Sequence, residues 1–149
     1  MQEGFQVVFN SQGKNIISKT SINAVVYNIN WASFLPQKYK KFKCQFSFIS
    51  ETYSGDLTNI GCVNINIGKT NIFDGQQMTN NIGVIYPNYN FGTGITSYYT
   101  ASINDNPEFY CGYPVNSSVT VKLKTFAGIN NMANMQDYIL TILFIGIEE

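Results

Sequence analysis

The sequence predicts an all-β fold, a single antiparallel β-sandwich of about eight strands spanning residues 1–149. Three observations predict it. Segment after segment alternates apolar and polar residues at period two, the spacing that turns one strand face to a core and the other to solvent. No segment sustains a helical stripe over more than two turns. Asn and Gly recur between the alternating runs, and both residues favour turns over helices.

Taken in order, the first candidate strands are Phe5 to Phe9 and Ala24 to Trp31. In the third, Phe42, Cys44, Phe46 and Phe48 share one face, and Lys41, Lys43, Gln45 and Ser47 share the other. Val63, Ile65 and Ile67 alternate with Cys62, Asn64 and Asn66 in the fourth. Gly83 to Tyr86, Ser97 to Ile103 and Phe109 to Cys111 follow, and then Val119, Val121 and Leu123 alternate with Thr120, Lys122 and Lys124. In the final run, Tyr138 to Ile147, both sets are apolar: Leu140, Ile142 and Phe144 against Ile139, Leu143 and Ile145. Such a strand is expected to be covered on both faces, either inside its own sheet or against a neighbouring subunit. Its Ile, Thr and Gly146 disfavour a buried helix. Turns are expected at Ser54-Gly55-Asp56, Asp74-Gly75, Gly92-Thr93-Gly94 and Asn130-Asn131, and only Met132 to Gln136 leans helical.

Composition narrows the function. Nine lysines balance nine acids with no arginine, and charged residues make up 12% of the chain, about half the usual share. A neutral, arginine-free chain offers neither forked phosphate contacts nor a basic field, so nucleic acid is not expected as a partner. Neutrality also removes the repulsion that keeps copies apart. Cys44, Cys62 and Cys111 form an odd set without C-x-x-C spacing, and are expected to be free thiols. No secretory signal pattern opens the sequence, and the longest apolar run is half of what a membrane-spanning helix needs. Asn116-Ser117-Ser118 fits the glycosylation pattern, which without an export signal is read as chance.

No catalytic residue, cofactor or metal site is expected. The absence of histidine removes Ser-His-Asp, Cys-His and His-based metal sites together. Asp105 and Glu108 are the pair of acids considered for a glycosidase, but Asn104-Asp105-Asn106-Pro107-Glu108 reads as a turn in which Asp and Asn bond their own backbone. Gly68-Lys69-Thr70 resembles the tail of a phosphate-binding loop, yet Val63 stands where that loop needs a glycine. Lys38, Lys40, Lys41 and Lys43, interleaved with Tyr39 and Phe42, read as the solvated entrance of a strand, where lysines discourage edge pairing.

Aromatic residues make up 15% of the chain, with eleven Phe and ten Tyr, more than one small core needs. Tyr86, Tyr89, Phe91, Tyr98 and Tyr99 fall in or beside the Gly- and Asn-rich stretch Asn88 to Ser97, where loops are expected. They are the candidate interface residues, since Tyr supplies contact area and a hydroxyl at low entropic cost. The competing reading has the same rings capping the core.

Tyr27-Asn28-Ile29-Asn30-Trp31, Leu35-Pro36 and the Lys38 to Phe42 entrance resemble the opening of small β-rich proteins of large DNA viruses of protists and their relatives. The similarity continues in Ile82 to Pro87, in Asn106 to Tyr110 and in the closing Tyr138 to Glu149. What the resemblance implies is a virion component, a minor capsid protein with a single jelly roll, made in the host cell interior. Its partners would be copies of itself or other capsid proteins, with no small-molecule substrate. A ligand-binding β-sandwich, lectin-like or receptor-binding, is the alternative.

Overall fold

The computed structural model describes residues 3–52, 60–67, 80–89, 97–125, 132 and 135–148. Its elements are β1 (Gly4–Asn10), β2 (Ile16–Ser21), β3 (Ala24–Asn28), a 3-10 turn (Trp31–Ser33), β4 (Lys41–Thr52), β5 (Gly61–Ile65), β6 (Asn81–Tyr89), β7 (Ser97–Ala101), β8 (Phe109–Gly112), β9 (Ser118–Thr125) and β10 (Met135–Gly146). The fold is all-β and every strand pairing is antiparallel. Strands run in the order β1-β10-β4-β7-β6-β5-β9-β3-β2, with β8 beside β4.

This single sheet curls on itself. β3 is far from β1 and β10 along the strand order, yet the Tyr27 ring of β3 meets Phe9 of β1 edge-on at 5.2 Å. Its hydroxyl also lies 2.9 Å from that of Tyr138 in β10. The first half, β1-β10-β4-β7 with β8, therefore packs its inner face on that of the second half, β5-β9-β3-β2. Val7, Phe9, Phe42, Phe46, Phe48, Leu140, Ile142 and Phe144 line one side of the core. Val25, Tyr27, Val63, Ile65, Val119, Val121 and Leu123 line the other. Burying such side chains is worth roughly 1.5–3 kcal/mol each relative to leaving them exposed, so the core is the main source of stability.

β6 joins the halves. Its first part, Asn81 to Ile85, pairs with β5, and its second, Tyr86 to Tyr89, pairs with β7. Gly83 has φ +155°, a conformation that side-chain-bearing residues rarely adopt. A Cβ there would also lie 2.6 Å from both the Phe46 ring and the Asn106 side chain. Asn106 fills the gap by acting as a length of strand: its amide accepts from the Val84 N–H and donates to the Val84 carbonyl, both at 2.9 Å.

The described residues form ten strands where the sequence predicts about eight. β2, Ile-Ile-Ser-Lys-Thr-Ser, was not anticipated because it lies exposed at the sheet edge and so shows no alternation. The expected strand Ala24 to Trp31 ends at Asn28; Trp31 instead opens the 3-10 turn, its buried indole N–H donating to the Asn116 carbonyl at 2.8 Å. The strand expected over Ser97 to Ile103 stops at Ala101, and β6 reaches Tyr89, inside the expected loop. The helical leaning at Met132 to Gln136 gives way to β10, which begins at Met135. Ser54-Gly55-Asp56, Gly68-Lys69-Thr70, Asp74-Gly75, Gly92-Thr93-Gly94 and Asn130-Asn131 lie outside the described residues.

The three cysteines are free and buried. Cys44 and Cys111 sit at diagonal positions on β4 and β8 with their sulfurs 3.6 Å apart. Diagonal partners in an antiparallel pair are about 7–8 Å apart at Cα, beyond ordinary disulfide reach. Burial, with the neighbouring Cys111, pushes the Cys44 thiol far up, keeping it protonated.

Candidate interaction face

The polar chemistry expected of turns is present where the sequence places it. Asp105 caps its own turn, accepting from the Ser102 N–H at 2.7 Å, while Glu108 faces Lys43 at 3.8 Å. The two acids thus point to different partners. Among the described residues, no group of three or more His, Cys, Asp or Glu side chains could hold a metal ion. No helix among them is long and apolar enough to cross a membrane.

The strongest unexplained feature is the outer face of the first half. Strand register places Asn10, Ile139, Ile49, Thr100 and Tyr86 in one row across β1, β10, β4, β7 and β6. Ile139 is 41% exposed, Ile49 53% and Tyr86 39%. Val8, at 52%, extends this apolar surface in the next row, beside Thr141 and Ser47. Further along β10, Leu143 and Ile145 continue it, half-buried. These positions alternate with core residues, so the second apolar set of β10 lies on the sheet's outside. Ile17, Ile60, Ile103 and Val115 are exposed too, but on other strands and loops; Val8, Ile49 and Ile139 lie in adjacent rows of one face, the kind of grouping that interaction surfaces show.

Among the described residues, the charges on this face lie toward its two ends. At one end Lys41 and Lys43 project outward; the Lys41 ammonium lies 4.8 Å from the centre of the Tyr110 ring, and Lys43 faces Glu108. Beyond them Lys38 pairs with Glu3 at 3.2 Å. Hydrogen bonds from Tyr39 and Lys38 hold the Glu3 carboxyl below the usual range. At the other end stand Glu51 and Asp137, the latter accepting from Ser11 Oγ and Gln12 Nε2. Lys19 reaches this end but donates to the Ser11 carbonyl.

The second half presents a different exterior. Asn64, Ile65, Asn66, Asn80, Thr120 and Lys122 line a shallow cleft of about 200 Å³, and Asn66 accepts from the Thr120 N–H at 2.6 Å.

Of the five aromatic residues singled out in the sequence, Tyr86 stands exposed on the outer face and Tyr98 shares that face half-buried. Tyr99 points the other way and is 3% exposed, its backbone N–H donating to Ser50 Oγ; it belongs to the core. The Tyr89 backbone closes β6, and Phe91 lies outside the described residues. Val8, Ile49 and Ile139 were missed as individuals, although the doubly apolar β10 pointed toward them. No protein-family model matches the chain, and neither does any curated protein.

Proposed function

We propose that the protein is a structural subunit, a single jelly roll that assembles with copies of itself or with other capsid proteins in a virion. The observation that carries this reading is the strand order. β1-β10-β4-β7 in one half and β3-β9-β5-β6 in the other is the order two interleaved Greek keys produce. Among the proteins built this way are viral capsid and lectin domains. The exterior favours the capsid side of that choice: the apolar outer face of the first half suits burial in an assembly, as does a chain of zero net charge.

A ligand-binding module is the second reading, favoured by the polar cleft on β5 and β9. That cleft is smaller than the roughly 300–1,000 Å³ of ordinary ligand pockets, and among the described residues its lining offers no aromatic ring for a sugar to stack on. Light scattering on the purified protein, paired with a glycan array, separates the readings. Capsid assembly predicts concentration-dependent oligomers and no glycan retention. A monomer retained by a defined glycan would replace it with the lectin-like reading.

A further inference from the structure

We infer that the outer face of β1-β10-β4-β7-β6 is the contact between two copies of this chain, packed face to face about a two-fold axis that lies in the interface plane and runs across the strands. This deepens the assembly reading and rests on it. The first argument is size. Strands about 4.8 Å apart rise about 3.4 Å per residue, so β4 and β10 run roughly 35 Å, and β1, β7 and the second part of β6 roughly 15–25 Å, a face of roughly 600 Å². Two such faces bury roughly 1,200 Å² in total, at the lower edge of the range of stable protein interfaces.

The second argument is charge. Gln45, Ser47, Val8 and Thr141 at the centre of the face are uncharged, Ile49 and Ile139 lie on one side of them and Lys43 on the other, while β4 begins at Lys41 and carries Glu51 near its far end. A two-fold across the strands reverses their direction, so Lys41 of each copy meets Glu51 and Asp137 of the other. The contact is isologous and closes as a dimer. A two-fold along the strands would instead set Lys41 against Lys41 and Glu51 against Glu51. Centred near residue 46 of β4, the crossing arrangement also brings Ile49 over the partner's Lys43 and Gln45 over its Ser47. Lys43 then covers apolar surface with its stem while its ammonium remains beside Glu108.

The experiment is sedimentation velocity over a concentration series on the full chain and four variants, with the thermal transition as a check on folding. The wild type should dimerise, more weakly as salt rises. Lys41→Glu sets acid against acid and should weaken association about tenfold or more, and Lys41→Glu combined with Glu51→Lys should restore most of it. Ile49→Lys, facing the partner's Lys43, should weaken the dimer more than Ile49→Glu, which faces the same lysine with the opposite charge. All four changes are at exposed positions, so the thermal transition should barely move. A wild type that stays monomeric at about 100 μM, weaker than nearly all specific homodimers, overturns the inference. Association that ignores both Ile49 variants overturns this face alone and leaves assembly standing. Failure of the double charge swap to rescue, with folding intact, overturns the two-fold geometry.

Discussion

The two halves of the curled sheet share one core but differ outside: the first half groups Val8, Ile49 and Ile139, while the second exposes Ile17 singly on its edge strand β2. On the inside they match: Phe46 and Phe144 in one half and Val63, Val121 and Leu123 in the other are all essentially inaccessible. On the outside, β9 presents Thr120 and Lys122 beside the Asn64 and Asn66 side chains, whereas β10 presents Ile139, Thr141, Leu143 and Ile145. Folding explains the inner faces and is indifferent to the outer ones. The difference between the exteriors is therefore what the proposed contact between copies accounts for: it covers the aliphatic exterior of the first half and leaves the polar cleft of the second in water.

The largest effect that would test this division contrasts the two sides of one strand. Phe46→Ala should cost about 3–5 kcal/mol of stability in denaturant unfolding, the usual range for a buried Phe. Lys43→Ala, on the outside of the same strand, should cost under about 0.5 kcal/mol. Equal costs would mean that the faces of β4 are assigned wrongly.

The contact between halves is tested next. Tyr27→Phe leaves the buried Tyr138 hydroxyl without the partner it has now, and should cost about 1–3 kcal/mol. Changing both to Phe should recover most of that loss, because two missing partners leave nothing unsatisfied. A double mutant as damaged as the sum of the singles would show that the hydroxyls do not act on each other.

The same pair predicts a response to base. Burial raises the Tyr27 phenol to about 12 and pushes that of Tyr138 up further. The unfolded chain, with ordinary phenols, releases protons near pH 10 while the folded chain holds them. Stability is therefore fully present below about pH 10 and should fall as pH rises through about 12. Thermal melts between pH 8 and pH 12 on wild type and the double Phe variant should diverge above about pH 10, with the wild type falling faster. Parallel curves would remove these phenols as the cause.

The smallest expected effects lie on the two exteriors. Ile139→Thr and Thr120→Ala should each change the unfolding free energy of the monomer by no more than about 0.5 kcal/mol. A larger loss from Ile139→Thr would place that residue in the fold's own packing rather than on a surface awaiting a partner.

Much of this was readable in advance where burial on one side writes an alternating pattern, as in β4, β5 and β9. The doubly apolar β10 was readable too, and its second face became the candidate site. Exposed β2 left no such trace, since its strand conformation is imposed by the backbone of β3. Trp31 continued an apparent alternation although the chain had already turned, because spacing alone cannot distinguish a strand residue from a ring folded back into the core. Asn106 read as a turn former, and no local pattern could show that its amide would stand in for a missing strand beside Val84. Composition points to tyrosines near a loop as the candidate contact residues, whereas the aliphatic residues of the proposed face occupy β-strand positions that core packing would equally fill.

The position of β10 also bears on how the first half of the sheet can close. Among the described strands it comes latest in the sequence, yet it lies between β1 and β4, pairing Phe5 with Phe144 and Phe46 with Ile142. During synthesis, at about 5–20 residues per second, β1 and β4 emerge long before the strand that joins them. Each then waits with an unpaired edge and an apolar face, the state in which nascent β-proteins are most prone to aggregate. Until β10 is made, β1 and β4 have no shared neighbour, and the inner face they contribute to the core is joined only through it.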